Sequence, residues 1–166
     1  MEPNKYKRLR RTLQRQVGWG QLALLGIVGV SLINQVMLGL GINYHFLFSA
    51  AMPYYLNWLG RQFSNVGFTV VAVLVTVALY GAYGLCLLRS HEPQWFWVGM
   101  ILYAVDTVLL VIFALVLLEN PVSCLLELLI HGVALVVLVR AWKARLRLSR
   151  IPPECLRDND YLQGGS

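Results

Sequence analysis

The stretch Trp95–Trp142, WFWVGMILYAVDTVLLVIFALVLLENPVSCLLELLIHGVALVVLVRAW, decides the fold. It holds two long apolar runs joined by Glu119-Asn120-Pro121. Each run exceeds the roughly 20 apolar residues that a helix needs to cross a hydrocarbon core about 30 Å thick. Asp106, Glu127 and His131 lie inside these runs, among Leu, Val, Ile, Phe and Ala. A charge at that depth costs about 2.5–3.5 kcal/mol on an insertion scale. Such groups are therefore expected to face inward, to find partners and to mark a site.

Composition supports the membrane reading outward from this hairpin. The chain has 166 residues, of which 58% are apolar and only 13% charged, and its mean hydropathy is +0.62. Soluble domains carry about 25% charged residues. Two further apolar runs precede the hairpin, about 17–40 and 67–88, and with 94–118 and 121–142 they make four spans. The expected fold is all-α: a polytopic membrane protein with four transmembrane helices in an up-down bundle, its membrane domain covering 17–148. No length remains for a sizeable soluble domain.

Residues 41–66 separate the first two spans and are dense in aromatics. Tyr and Trp favour the headgroup layer, where the ring is half buried and its polar tip wet. This stretch, broken by Pro53, reads as an interfacial or re-entrant amphipathic segment on the outer side. Residues 1–16 read as a basic lead-in on the cytoplasmic side. Residues 149–166, with two prolines, read as a flexible cytoplasmic tail.

Fourteen Lys and Arg against eight Asp and Glu give a net charge of +6. Six basic residues precede the first span (Lys5, Lys7, Arg8, Arg10, Arg11, Arg15) and six lie at the end of the fourth or beyond it (Arg140, Lys143, Arg145, Arg147, Arg150, Arg157). Arg89 lies between spans two and three, leaving Arg61 alone between spans one and two. With both termini cytoplasmic, thirteen of the fourteen fall inside, as the positive-inside rule demands. The expected location is the plasma membrane. Such flanks attract anionic lipid head groups and set aside a nucleic-acid-binding role. Cys86, Cys124 and Cys155 form no CxxC and no metal-finger spacing, so no disulfide framework is expected.

The depths of the buried polar residues converge. Asp106 lies about 18 Å into the third span from one face, and His131 about 15 Å into the fourth from the other, at 1.5 Å per residue. Glu127 and His131 share a face at an i,i+4 spacing. Asn34 and Gln35 in the first span, Tyr80 in the second, and Tyr103 and Thr107 beside Asp106 supply polarity at a similar level. Together these eight residues form the candidate site for a proton, an ion or a small polar solute. His exchanges a proton near neutral pH, which a relay needs. A thin four-helix monomer would then be expected to work as a homodimer or with a partner membrane subunit.

Two alternatives use the same residues. Asp106, Glu127 and His131 supply the three protein ligands of a catalytic zinc, which would make the chain an intramembrane enzyme acting on a lipid-like substrate. Against that, ExxxH is not HExxH, and His45 and His91 fall at opposite membrane faces. The other alternative is a structural or assembly subunit whose polar layer fixes helix register. Interhelical polar contacts average only about 0.6 kcal/mol, less than two buried acids cost. The sequence leaves any cofactor unassigned, with Asp106, Glu127 and His131 as the candidate metal ligands.

Overall fold

The computed structural model describes residues 3–42, 46, 48–63, 66–116 and 121–151, and every regular element among them is an α-helix. In chain order these are α1 (Pro3–Gly39), α2 (Ala51–Gln62), α3 (Val66–Leu88), α4 (Pro93–Val116) and α5 (Pro121–Ser149). All except α2 are long and apolar enough to cross a membrane. Only 22–28% of each apolar window is buried within the protein. The remainder presents Leu22, Leu25, Val70, Val108, Leu129 and similar residues outward, a surface that lipid accepts and water does not. This is the architecture of a multi-pass integral membrane protein.

The buried stripe of each span explains how it packs. On α1 the buried positions are Leu13, Val17, Gly20, Leu24, Ile27, Ser31, Asn34 and Leu38, alternating in steps of four and three. On α4 they are Phe96, Gly99, Tyr103, Asp106, Leu110 and Ala114, and on α5 Glu127, His131, Ala134, Leu138, Ala141 and Ala144. A mean spacing near 3.5 residues is the signature of helices that pack at shallow angles with interlocking side chains. The most extensive interface is α1 against α5. There the small residues Gly20, Ala134, Ala141 and Ala144 let the backbones approach.

The basic lead-in is not a separate element. It continues without a break into the first span as one 37-residue helix, because Leu13 and Val17 extend the buried stripe into it and pack in the same core as Ala141 and Ala144 of α5. The expected spans at 67–88, 94–118 and 121–142 correspond to α3, α4 and α5, the last extended to Ser149. The turn at Glu119-Asn120 and the tail from residue 152 lie outside the described residues.

Tight turns close the helix ends. After α1, the Gly41 N–H bonds the Leu38 carbonyl at 3.1 Å and the Ile42 N–H bonds that of Met37 at 2.9 Å. This double closure needs a left-handed residue, supplied by Gly41 at φ 79°, where a side chain would be strained. Between α3 and α4, the buried Ser90 hydroxyl accepts from Gln21 Nε2 at 2.8 Å. Arg145 of α5 donates to the His91 carbonyl, and the Arg89 guanidinium sits 5.2 Å from the centre of the Trp95 ring. These contacts gather the first half of α1, the α3–α4 turn and the end of α5 at one end of the protein.

Within 41–66 the described regular element is α2, which packs against α1, α3 and α4. Pro53 does not break it. It occupies the third helical position, where the missing N–H has no intrahelical partner to lose. Tyr55 stacks on Phe113 of α4 with ring centres 5.0 Å apart. Leu38, Ala51, Tyr54 and Leu110 complete a second small core under α2. Gly60 lies against Thr69 of α3, whose hydroxyl donates to the Gly60 carbonyl at 3.0 Å.

Candidate functional site

The polar residues of the spans separate into three groups with different tasks. The first fastens α2. A helix leaves its first four N–H groups without internal partners, and here the N-cap is Ala50, whose side chain makes no capping bond. The neighbouring spans supply what Ala50 lacks. The Ala50 N–H donates to Ser31 Oγ at 2.7 Å. The Ala51 N–H donates to Asp106 Oδ2 at 2.8 Å, and the Met52 N–H to Oδ1 at 2.8 Å. Pro53 has no N–H, so the account closes with nothing left over.

Asp106 is thus an N-cap delivered from another helix, 3% exposed, with its charge at the positive end of the α2 dipole. Asn34 completes the fastening. Its Oδ1 accepts from the Phe46 N–H at 2.7 Å, and its Nδ2 donates to the Phe46 carbonyl and to Ser49 Oγ, both at 2.9 Å. Asn34 therefore treats the chain at Phe46 as a neighbouring strand would.

The second group is the α4–α5 seam. Tyr103 stacks on the His131 ring with centres 4.7 Å apart. Thr107 Oγ1 is 2.8 Å from the Tyr103 carbonyl and 3.0 Å from His131 Nδ1. The hydroxyl has one proton, which it donates to the carbonyl, so it accepts from Nδ1–H. The ring sits beside the Ser49 main chain, yet Nε2 makes no hydrogen bond of ordinary geometry among the described residues. Glu127 is buried one turn before His131 on the same face. The hydroxyls of Tyr83 and Tyr103 are buried with no hydrogen-bond partner among the described residues.

The third group lines a cleft of about 360 Å³ between α1, α2 and α3. Its polar walls are Gln35, Asn57, Thr76 and Tyr80, and Arg61 and Thr69 also line it, with Leu38, Val73 and Val77 among the apolar lining. Asn57 is its pivot. Nδ2 faces Gln35 Oε1 at 2.9 Å, Thr76 Oγ1 at 3.0 Å and the Pro53 carbonyl at 3.1 Å. Tyr80 donates its hydroxyl proton to the Ser31 carbonyl at 3.0 Å.

The expected site of eight residues is therefore divided. Asn34 and Asp106 hold the chain leading into α2, Thr107, Tyr103, Glu127 and His131 meet along the α4–α5 seam, and Gln35 and Tyr80 line the cleft. The alternative of a three-ligand metal site does not fit this placement. Both Asp106 oxygens point at the α2 N-terminus and His131 Nδ1 at Thr107, and no group of three or more His, Cys, Asp or Glu able to hold a metal ion occurs among the described residues. Sequence reasoning missed Asn57, Arg61 and Ser49 as members of these groups. One signal for the fastening was available: an Ala at the N-cap of a helix opening Ala-Met-Pro requires its cap from elsewhere.

No family model matches the chain, and neither a curated protein nor a solved structure does.

Proposed function

We propose that this integral membrane protein binds a small polar or amphiphilic solute in the cleft between α1, α2 and α3, reached from the outer face. The four spans alternate in direction in the plasma membrane, with both basic termini cytoplasmic. The observation that carries the reading is the cleft's lining. Polar side chains inside a membrane protein face partners or a water-filled cavity, and a concave site with a few convergent polar groups is the usual form of a binding site. Asp106 serves as the anchor that holds one wall of that site in place.

Accessibility tests the reading. In a variant whose own cysteines are replaced by Ser, Thr76→Cys, on the polar wall of the cleft and not on the outer surface of α3, is expected to react with a membrane-impermeant maleimide added outside the cell. Val70→Cys, exposed on the same helix but absent from the cleft lining, should stay unlabelled. Equal labelling at the two positions, or labelling at neither, would remove the water-accessible cleft.

A second reading, passage of a proton or ion, draws on His131 Nε2 and the buried hydroxyls of Tyr83 and Tyr103, which make no hydrogen bond of ordinary geometry among the described residues. The cleft reading expects liposomes carrying the protein to lose a pH gradient no faster than empty ones. Faster decay that disappears in His131→Ala would favour passage instead.

A further inference from the structure

Resting on the cleft reading, the chemistry of the lining narrows the occupant. The side-chain oxygens of Gln35, Thr76 and Tyr80 there are each already engaged. Gln35 Oε1 and Thr76 Oγ1 accept from Asn57, and Tyr80 has spent its only proton on Ser31. The donors are in surplus. Gln35 Nε2 lies near Tyr80 Oη but makes no hydrogen bond of ordinary geometry among the described residues. Even a bond to Tyr80 would leave its second N–H unspent. Arg61, in the last turn of α2, is exposed and lines the same cleft. Among the described residues its guanidinium has no carboxylate within ion-pair distance. A cleft with spare N–H groups, one cation and no spare acid selects an acceptor-rich anion.

The apolar side of the cleft says what the anion is attached to. Val73 and Val77 line it and are also 46% and 62% exposed on the outer surface of α3. The cleft is therefore open toward the lipid along α3. A volume of about 360 Å³ is small for a ligand site and suits a head group whose chain runs out over Val73 and Val77. We infer that the cleft between α1, α2 and α3 binds an anionic amphiphile, its phosphate or carboxylate held by Arg61 and Gln35 and its tail lying along α3 in the bilayer.

Native mass spectrometry of the full chain in an uncharged detergent tests this, with phosphatidylglycerol, phosphatidylcholine of the same acyl chains, and sodium phosphate as probes. Phosphatidylglycerol is expected to bind about tenfold more tightly than phosphatidylcholine, a margin equal to about 1.4 kcal/mol. Arg61→Ala should bring the ratio near one, and Arg61→Lys should keep most of it. The basic end of the protein also attracts anionic lipid, so Lys143→Ala with Arg147→Ala is the control, and the Arg61-dependent preference should survive in it. If Arg61→Ala does not elute as folded protein, Arg61→Gln carries the same comparison.

A preference that persists without Arg61 but vanishes with the basic-end pair would overturn the assignment. So would phosphate alone displacing the lipid, which would make this a free-anion site. Val73→Trp, which fills the cleft, separates the two levels. If both lipids bind equally and Val73→Trp displaces both, the cleft binds amphiphiles but the anion assignment fails. If Val73→Trp affects neither lipid, the binding cleft itself fails.

Discussion

Asp106→Ala is expected to release the start of α2 and to lower the melting temperature by roughly 10 °C for a chain of this size. The substitution leaves the N–H groups of Ala51 and Met52 without acceptors in a place that excludes water. Each abandoned donor costs about 1–3 kcal/mol, and bonds to a charged acceptor lie at the upper end. The same change removes an anion from the positive end of a helix. Asp106→Asn should fall between, since its amide keeps one acceptor oxygen but sets an NH2 against the other N–H. His131→Ala removes one bond to Thr107 and one stacked ring, and a smaller shift is expected. Circular dichroism melts in detergent read all three. An Asp106→Ala protein melting within about 2 °C of the parent would mean that α2 is held by its apolar contacts alone, whereas equal losses for Asp106→Ala and His131→Ala would favour an acid–imidazole pair.

That comparison also shows what could be read before the structure. The four spans follow from apolar run length, and the meeting of α4 and α5 follows from arithmetic along two helices. Thr107 and His131 do lie at one level, 3.0 Å apart. What depth cannot supply is azimuth. Successive residues on an α-helix point about 100° apart at 3.6 residues per turn, so Thr107 faces α5 while Asp106, its neighbour, faces α2. An estimate of level therefore placed Asp106 with His131, although the carboxylate is turned a quarter of the way round the helix. The role of segment 46–52 was obscured for a related reason. Its main-chain N–H groups are the partners of Ser31 and Asp106, and main-chain groups leave no mark in the residue types. Only their deficit is visible, in Ala50 where a capping side chain would stand. The continuity of α1 is hidden by composition: the exposed Arg8, Arg11, Thr12, Gln14, Arg15 and Gln16 surround Leu13 and Val17, and two apolar positions among them are a weak signal until α5 is seen alongside.

Gly20→Val should destabilise the protein strongly, while Gly18→Val on the same helix leaves its melting temperature unchanged or slightly raised. A Cβ at Gly20 would lie 2.2 Å from Ala141 Cβ and 2.9 Å from the Phe96 ring, whereas one at Gly18 meets nothing within 4 Å. Both substitutions replace a poor helix former by a better one, so propensity predicts the same small gain at each and the difference isolates the crossing of α1 and α5. Inserting bulk into a packed interior costs about 1–3 kcal/mol when the surroundings shift and more when they cannot. Here the first obstacle is the Cβ of a helical alanine, fixed to its backbone, so the helices must separate. Separation would travel along α1 to Ser31 and Asn34, three to four turns further on, and loosen the chain leading into α2 as well. Ala141→Gly in the Gly20→Val background should recover part of the loss, though the Phe96 contact remains. The interaction energy from that double-mutant cycle is expected to be favourable and within about 0.5–3 kcal/mol, the range for residues in contact. Gly18→Val and Gly20→Val melting together would mean that α1 and α5 do not cross at Gly20, and that the fastening of α2 by Ser31 and Asn34 needs another support.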